Sequence, residues 1–163
     1  MRRRTVGVVL LAMILAGCSA GPPGRLETSL AAQVKRRLTV SGKKDRNPLP
    51  NDAETIHSGL RAFSHYCVSC HGLDAQNTGV PFATAMSPPV PELNSPQVQA
   101  YSDGQLHWII RNGLYPSGMP ASKDMLNDEE IWSIVTYIRH LPPKGALGEP
   151  KFYGEETPLP KYP

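Results

Sequence analysis

Between Asn51 and Leu141 the apolar residues recur at the period of helices. Ile56, Leu60, Phe63 and Cys67 share one helical face. The helix that carries them is expected to start at Asn51, with Glu54 three residues on as a capping-box partner. Ser102 and Gln105 form a second capping box ahead of Leu106, Ile109 and Ile110. A third helix opens at Asn127 with Glu130. Ile131, Ile134, Val135, Ile138 and Leu141 give it a clear apolar stripe, and Pro142 and Pro143 stop it. No segment alternates apolar and polar residues for long enough to form a strand, and no internal repeat is present. The pattern predicts an all-α domain of three to four helices joined by proline-rich loops.

The flanks read differently. Arg2, Arg3 and Arg4 precede a short apolar run, Val6 to Ala16, that is too short to span a bilayer comfortably and has the form of a signal peptide. The run ends in Leu15-Ala16-Gly17-Cys18, which resembles the lipobox of bacterial lipoproteins. That resemblance implies removal of residues 1–17 and acylation of Cys18, with several acyl chains giving lasting anchorage. An ordinary secretory signal ending near Ala20 is the alternative. Residues 18–50 are expected to be a tether, opened by Gly21-Pro22-Pro23-Gly24 and closed by Asn47-Pro48-Leu49-Pro50, with a thin-striped helix between Leu26 and Val40. The domain is expected over 51–142, followed by a tail, 143–163, in which prolines continue to Pro163.

Charge sharpens that division. The chain carries 17 basic and 14 acidic residues, and loss of residues 1–17 removes three arginines. Seven of the remaining basic residues lie between Arg25 and Arg46, whereas Asn51 to Pro163 is acidic. A basic tether beneath an acidic domain suits an anionic membrane surface, where each Lys or Arg contributes about 1 kcal/mol; a solvated linker reads equally well. The basic run is short and unpatterned, and nothing points to nucleic acid.

The chemistry concentrates in Cys67-Val68-Ser69-Cys70-His71. Cys-x-x-Cys-His is the attachment signature of c-type haem. On a helix, Cys67 and Cys70 share a face and can form thioethers with two vinyl groups, while His71 offers a neutral imidazole to iron. A zinc site would need further ligands, and the other histidines (His57, His65, His107, His140) are scattered singly. A thioredoxin-like pair would follow a strand, and none is visible. Three modest helices bury a thin core, which a covalently held macrocycle would complete. On local features the sixth ligand to iron is open among Met86, Met119 and Met125. Met119 is bracketed by Gly118 and Pro120, Met86 suits packing on the haem edge, and Met125 suits the core.

From Thr55 to Leu141 the chain resembles class I bacterial monohaem cytochromes c. It shares with them a helix leading into Cys67-Val68-Ser69-Cys70-His71-Gly72 and a proline-rich loop. An Asn112-Gly113 turn, a Gly-Met119-Pro loop and a terminal helix with Trp132 and Tyr137 complete the order. The resemblance implies a cytochrome c fold around one covalent haem c, with His71 and Met119 as axial ligands to iron. It also implies a loop-proline carbonyl on the proximal imidazole. Pro81 is the expected residue, in a loop that holds Pro88, Pro89 and Pro91 as well.

Such a centre has no open position, so the expected function is one-electron transfer between respiratory or dehydrogenase partners, without catalysis by this chain. A dedicated haem subunit of a larger oxidoreductase is one alternative, and a haem ligand sensor in which Met119 dissociates is another. The expected location is the periplasmic side of a bacterial envelope, lipid-anchored to the membrane. Ser19 in place of Asp after Cys18 leans towards the outer membrane by the same lipoprotein resemblance.

Overall fold

A computed structural model describes residues 40–42, 44–86, 88–115 and 117–146. They belong to one of the two compact units of the chain, Leu38–Pro163. Cys18, the apolar run before it and most of the expected tether and tail lie outside the described residues.

The described residues are helical, as the periodicity predicts. Three longer helices form the frame: α1 (Ala53–Tyr66), α5 (Asp103–Asn112) and α6 (Asp128–Arg139). Three short ones lie between α1 and α5: α2 (Val68–His71), α3 (Pro81–Ala85) and α4 (Pro96–Gln99). The last two arise where only loops are expected. Each opens on a proline, whose missing N–H costs nothing at the first helical position. Among the described residues the sole β-type pairing is an isolated bridge between Leu114 and Met119.

Two capping boxes form as the sequence indicates. Ser102 and Gln105 exchange side chain-to-backbone hydrogen bonds at the start of α5, and Asn127 and Glu130 do so at the start of α6. The start of α1 falls one residue later than expected. Asp52, not Asn51, is the cap, because its backbone is extended and its carboxylate accepts from the Thr55 N–H at 2.9 Å. That bond holds the Asp52 carboxyl below its usual pKa.

Helices α1 and α6 make the central contact. A Cβ placed on Gly59 would lie 2.0 Å from the Ser133 carbonyl oxygen, so the two backbones can approach this closely only at glycine. One turn along, the rings of Phe63 and Tyr137 meet at 5.1 Å between centroids, tilted by 51°. Both side chains are fully buried, with Ile131, Ile134 and Val135 beside them. Helix α5 joins through Leu106 and Ile110, and His107 stacks on Trp132 at 4.1 Å. Burial pushes the His107 pKa down, and the carboxylate of Asp128, 3.3 Å from its Nε2, pulls the other way.

The folded unit also begins before Asn51. Val40 is buried, and the Asn47 amide donates to the Trp132 carbonyl at 3.1 Å and to Thr136 Oγ1 at 2.8 Å. Asn47, expected near the end of a tether, is therefore fastened to α6, because one asparagine can satisfy a carbonyl and a hydroxyl on that helix. At the far end of α6, Arg139 bonds Asp103 Oδ1, Gln99 O and the Tyr101 carbonyl, fixing the α4–α5 turn to the frame.

Substituting Gly59→Ala drives a methyl into the backbone of α6, which has no flexible end to move aside. Destabilisation of about 1–3 kcal/mol or more is expected, read as a lower denaturant midpoint with an unchanged slope. Wild-type stability in this variant would contradict the close crossing.

Candidate functional site

Helix α1 delivers the cysteine–histidine motif. It ends at Cys67, whose N–H bonds the Phe63 carbonyl, and the chain turns at once into α2. Cys67 O accepts from Cys70 N at 3.2 Å and from His71 N at 2.9 Å, so the two thiols and the imidazole occupy a single turn. The helical placement expected from the spacing is present. Both cysteines are free and half-buried, and burial pushes the Cys67 thiol up to about 12, with Cys70 adding to the effect. Cys67 therefore stands as a protonated thiol. Among the described residues no group of three or more His, Cys, Asp or Glu could hold a metal ion, so nothing there completes a zinc site around this pair.

His71 is held from its own chain on both sides. The Phe63 ring, already packed on Tyr137, lies 6.5 Å from the imidazole between centroids. Burial lowers the His71 pKa, and the Pro91 carbonyl, acting on the ring, opposes that. The ring is therefore kept neutral, the form that donates a lone pair to iron. Its Nδ1 is buried without a hydrogen-bond partner, and Pro91 is the backbone group that acts on the ring. This corrects the expectation for Pro81. Pro81 is exposed and serves as the first residue of α3, so its ring is used to start a helix.

Pro91 reaches the imidazole because the loop after the motif folds back on itself. Asn77, in the left-handed region at φ 64°, returns its N–H to the His71 carbonyl at 2.9 Å and donates its side-chain amide to the Val90 carbonyl at 2.7 Å. Leu93 N bonds Ala75 O at 2.9 Å. Asn77 was not legible as a site residue. The available signal was the turn-forming run Gly72-Leu73-Asp74-Ala75-Gln76-Asn77-Thr78-Gly79, in which asparagine is the side chain that best tolerates a left-handed backbone.

The three candidate methionines separate. Met119 is half-buried against the core cluster that also receives Cys67 and Val68. Its carbonyl accepts from Leu114 N at 3.0 Å, and Ser122 returns the loop to α5 through two bonds to Ile110 O. Met86 is half-buried at the end of α3. Met125, expected in the core, is 53% exposed, because the turn at Ser122 points its side chain outwards ahead of α6. The residues present fit a covalently attached c-type haem. Cys67 and Cys70 would carry the thioethers, His71 would hold one face of the iron, and Met119 is the methionine at the rim of the same apolar cluster.

Comparison with known proteins agrees with this geometry. The family model described as cytochrome C oxidase, cbb3-type, subunit III matches residues 54–138. The chain is 26% identical over 96 residues to cytochrome c550 of Pseudomonas aeruginosa, covering 57% of this chain and 60% of that protein. It is 29% identical over 90 residues to quinohemoprotein alcohol dehydrogenase ADH-IIG of Pseudomonas putida, covering 55% of this chain and 11% of that protein. With quinohemoprotein alcohol dehydrogenase ADH IIB of the same organism it is 26% identical over 109 residues, covering 66% and 14%. The chain thus spans less than two thirds of the length of each of these relatives.

Replacing Cys67 and Cys70 together by alanine is expected to abolish covalently held haem. Haem staining after denaturing electrophoresis reads this directly, and full-intensity staining of the double variant would refute the attachment site.

Proposed function

The chain belongs to the family of cytochrome C oxidase, cbb3-type, subunit III, and on that premise we propose that it is a membrane-tethered one-electron carrier with a single covalent haem c. The observation that supports this best is the placement of Cys67, Cys70 and a neutral, half-buried His71 on one turn beside the apolar cluster that Met119 borders. When bound, haem c supplies reversible Fe(III)/Fe(II) chemistry.

The side chains divide the remaining work. Cys67 and Cys70 would hold the group in place through thioethers. His71 would present its neutral ring to iron, with the Pro91 backbone carbonyl acting on that ring to orient it. Met119 would offer its soft thioether sulfur to the iron, a ligand that favours the reduced state. Held by His71 and Met119, the group would serve electron transfer, with substrate chemistry left to the partners. Matching stretches in two quinohemoprotein alcohol dehydrogenases support a dehydrogenase as one partner, and the family supports a respiratory oxidase as another.

The tether belongs to the same reading. Leu15-Ala16-Gly17-Cys18 supports acylation at Cys18 and a position on the periplasmic side of the envelope, with Ser19 favouring the outer membrane. Among the described residues no helix is long and apolar enough to cross a membrane. A lipid anchor of this kind confines the carrier near membrane partners and raises its effective concentration there.

Met119→Ala tests the electron-carrier reading. The ferric protein should show a weak far-red sulfur-to-iron charge-transfer band, and the substitution should remove it, lower the reduction potential and admit carbon monoxide to the reduced protein. Carbon monoxide binding by the unaltered reduced protein would instead favour a ligand sensor. Cys18→Ala should move the protein from the membrane fraction to the soluble one. A variant that stays on membranes through a high-salt wash would count against acyl anchorage.

A further inference from the structure

Met86 has no part in attachment or ligation, yet it touches the segment that carries the sixth ligand. Gly118, immediately before Met119, lies in the left-handed region at φ 81°. A Cβ built there would approach the terminal methyl of Met86 at 3.2 Å. The methyl therefore rests against the bare backbone of Gly118. Methionine suits such a place, since its unbranched thioether conforms to an irregular surface.

The two loops that meet here are held by different means. The Met119 loop is hydrogen-bonded within itself and to its own helix: Leu114 N to Met119 O, Ser117 Oγ to Leu114 O, and Ser122 to Ile110 O. The Met86 loop is braced separately. Met86 N bonds Phe82 O at 3.1 Å, Val90 N bonds Ala83 O at 2.9 Å, and Asn77 ties Val90 to the segment just after His71. Met86 thus joins the His71 side of the site to the Met119 side through an apolar contact.

We propose that Met86 is a positioning residue that holds the Gly118–Met119 backbone in place and so slows release of the Met119 sulfur from iron. The inference rests on the reading of Met119 as the sixth ligand. Departure of the sulfur requires residues 118–119 to shift, and the methyl of Met86 occupies space on one side of that shift. Removing it opens room for the backbone and should shorten the lifetime of the bond. Resting ligation should stay unchanged, because the hydrogen bonds to α5 remain.

The test uses the full-length, haem-loaded protein. Cyanide is mixed with the ferric form at concentrations where the observed rate has become independent of cyanide, so that Met119 release is what is timed. Met86→Ala should raise that rate about tenfold, the ratio that corresponds to about 1.4 kcal/mol of barrier, with the far-red band intact beforehand. Met86→Leu, which conserves volume, should stay near the wild-type rate. Met125→Ala, on the surface, should match wild type. Should Met86→Ala fail to accumulate with haem, Met86→Val carries the same comparison. A wild-type rate in the truncated variant, with the band present and Met119→Ala lacking it, overturns the inference and leaves the ligand reading standing. Retention of the band in Met119→Ala overturns both.

Discussion

Everything about the site depends on the crossing of α1 and α6. The absence of a side chain at Gly59 lets backbone meet backbone at Ser133, and Phe63 and Tyr137 then lock the angle one turn further on. Phe63 has a second neighbour, the imidazole of His71. One ring therefore transmits the helix crossing to the attachment motif. Because α1 ends at Cys67, the direction in which the two thiols leave the helix is set by where α1 sits on α6. A small domain has little core to spare, and this one uses its best-packed contact to aim its reactive turn.

The same region accepts a polar cost. A buried nitrogen such as His71 Nδ1, without a well-formed bond, costs about 1–3 kcal/mol relative to a satisfied one. The turn around Asn77 limits this by bringing Pro91 to the ring, at the expense of a non-glycine residue in the left-handed region. Burial has a chemical effect as well as an energetic one. It keeps the imidazole neutral and the Cys67 thiol protonated, although both groups sit on the first turn after α1.

Much of this was legible because it is local. The boxes at Ser102–Gln105 and Asn127–Glu130 are short-range patterns with one good structural solution, and the α6 stripe is long enough to specify a buried face. The motif at Cys67–His71 carries its own geometry. What was not legible depends on contacts distant in sequence. The choice between Pro81 and Pro91 follows from how the loop folds back through Asn77, which the run of prolines does not reveal. The same holds for Asn47, whose partners on α6 lie 85 and 89 residues away. Asp52 displaced Asn51 as a cap for a subtler reason: two adjacent residues could each serve, and backbone geometry chose between them. Met125 looked like core by residue type and proved exposed because a turn at Ser122 decides which way it points.

The docking of residues 40–50 has a mechanical side. In chain order, Val40 and Asn47 come before α1, and Asn47 is bonded to α6 at Trp132 and Thr136. A pull arriving from the N-terminal direction is therefore met first by a bond pair on the best-buried helix, before it can act on α1 or on the turn that holds Cys67 and Cys70. The segment works as a strain relief, as a clamp does where a cable enters its housing. Load is passed to the buried helix α6, and the turn that holds Cys67 and Cys70 is spared it.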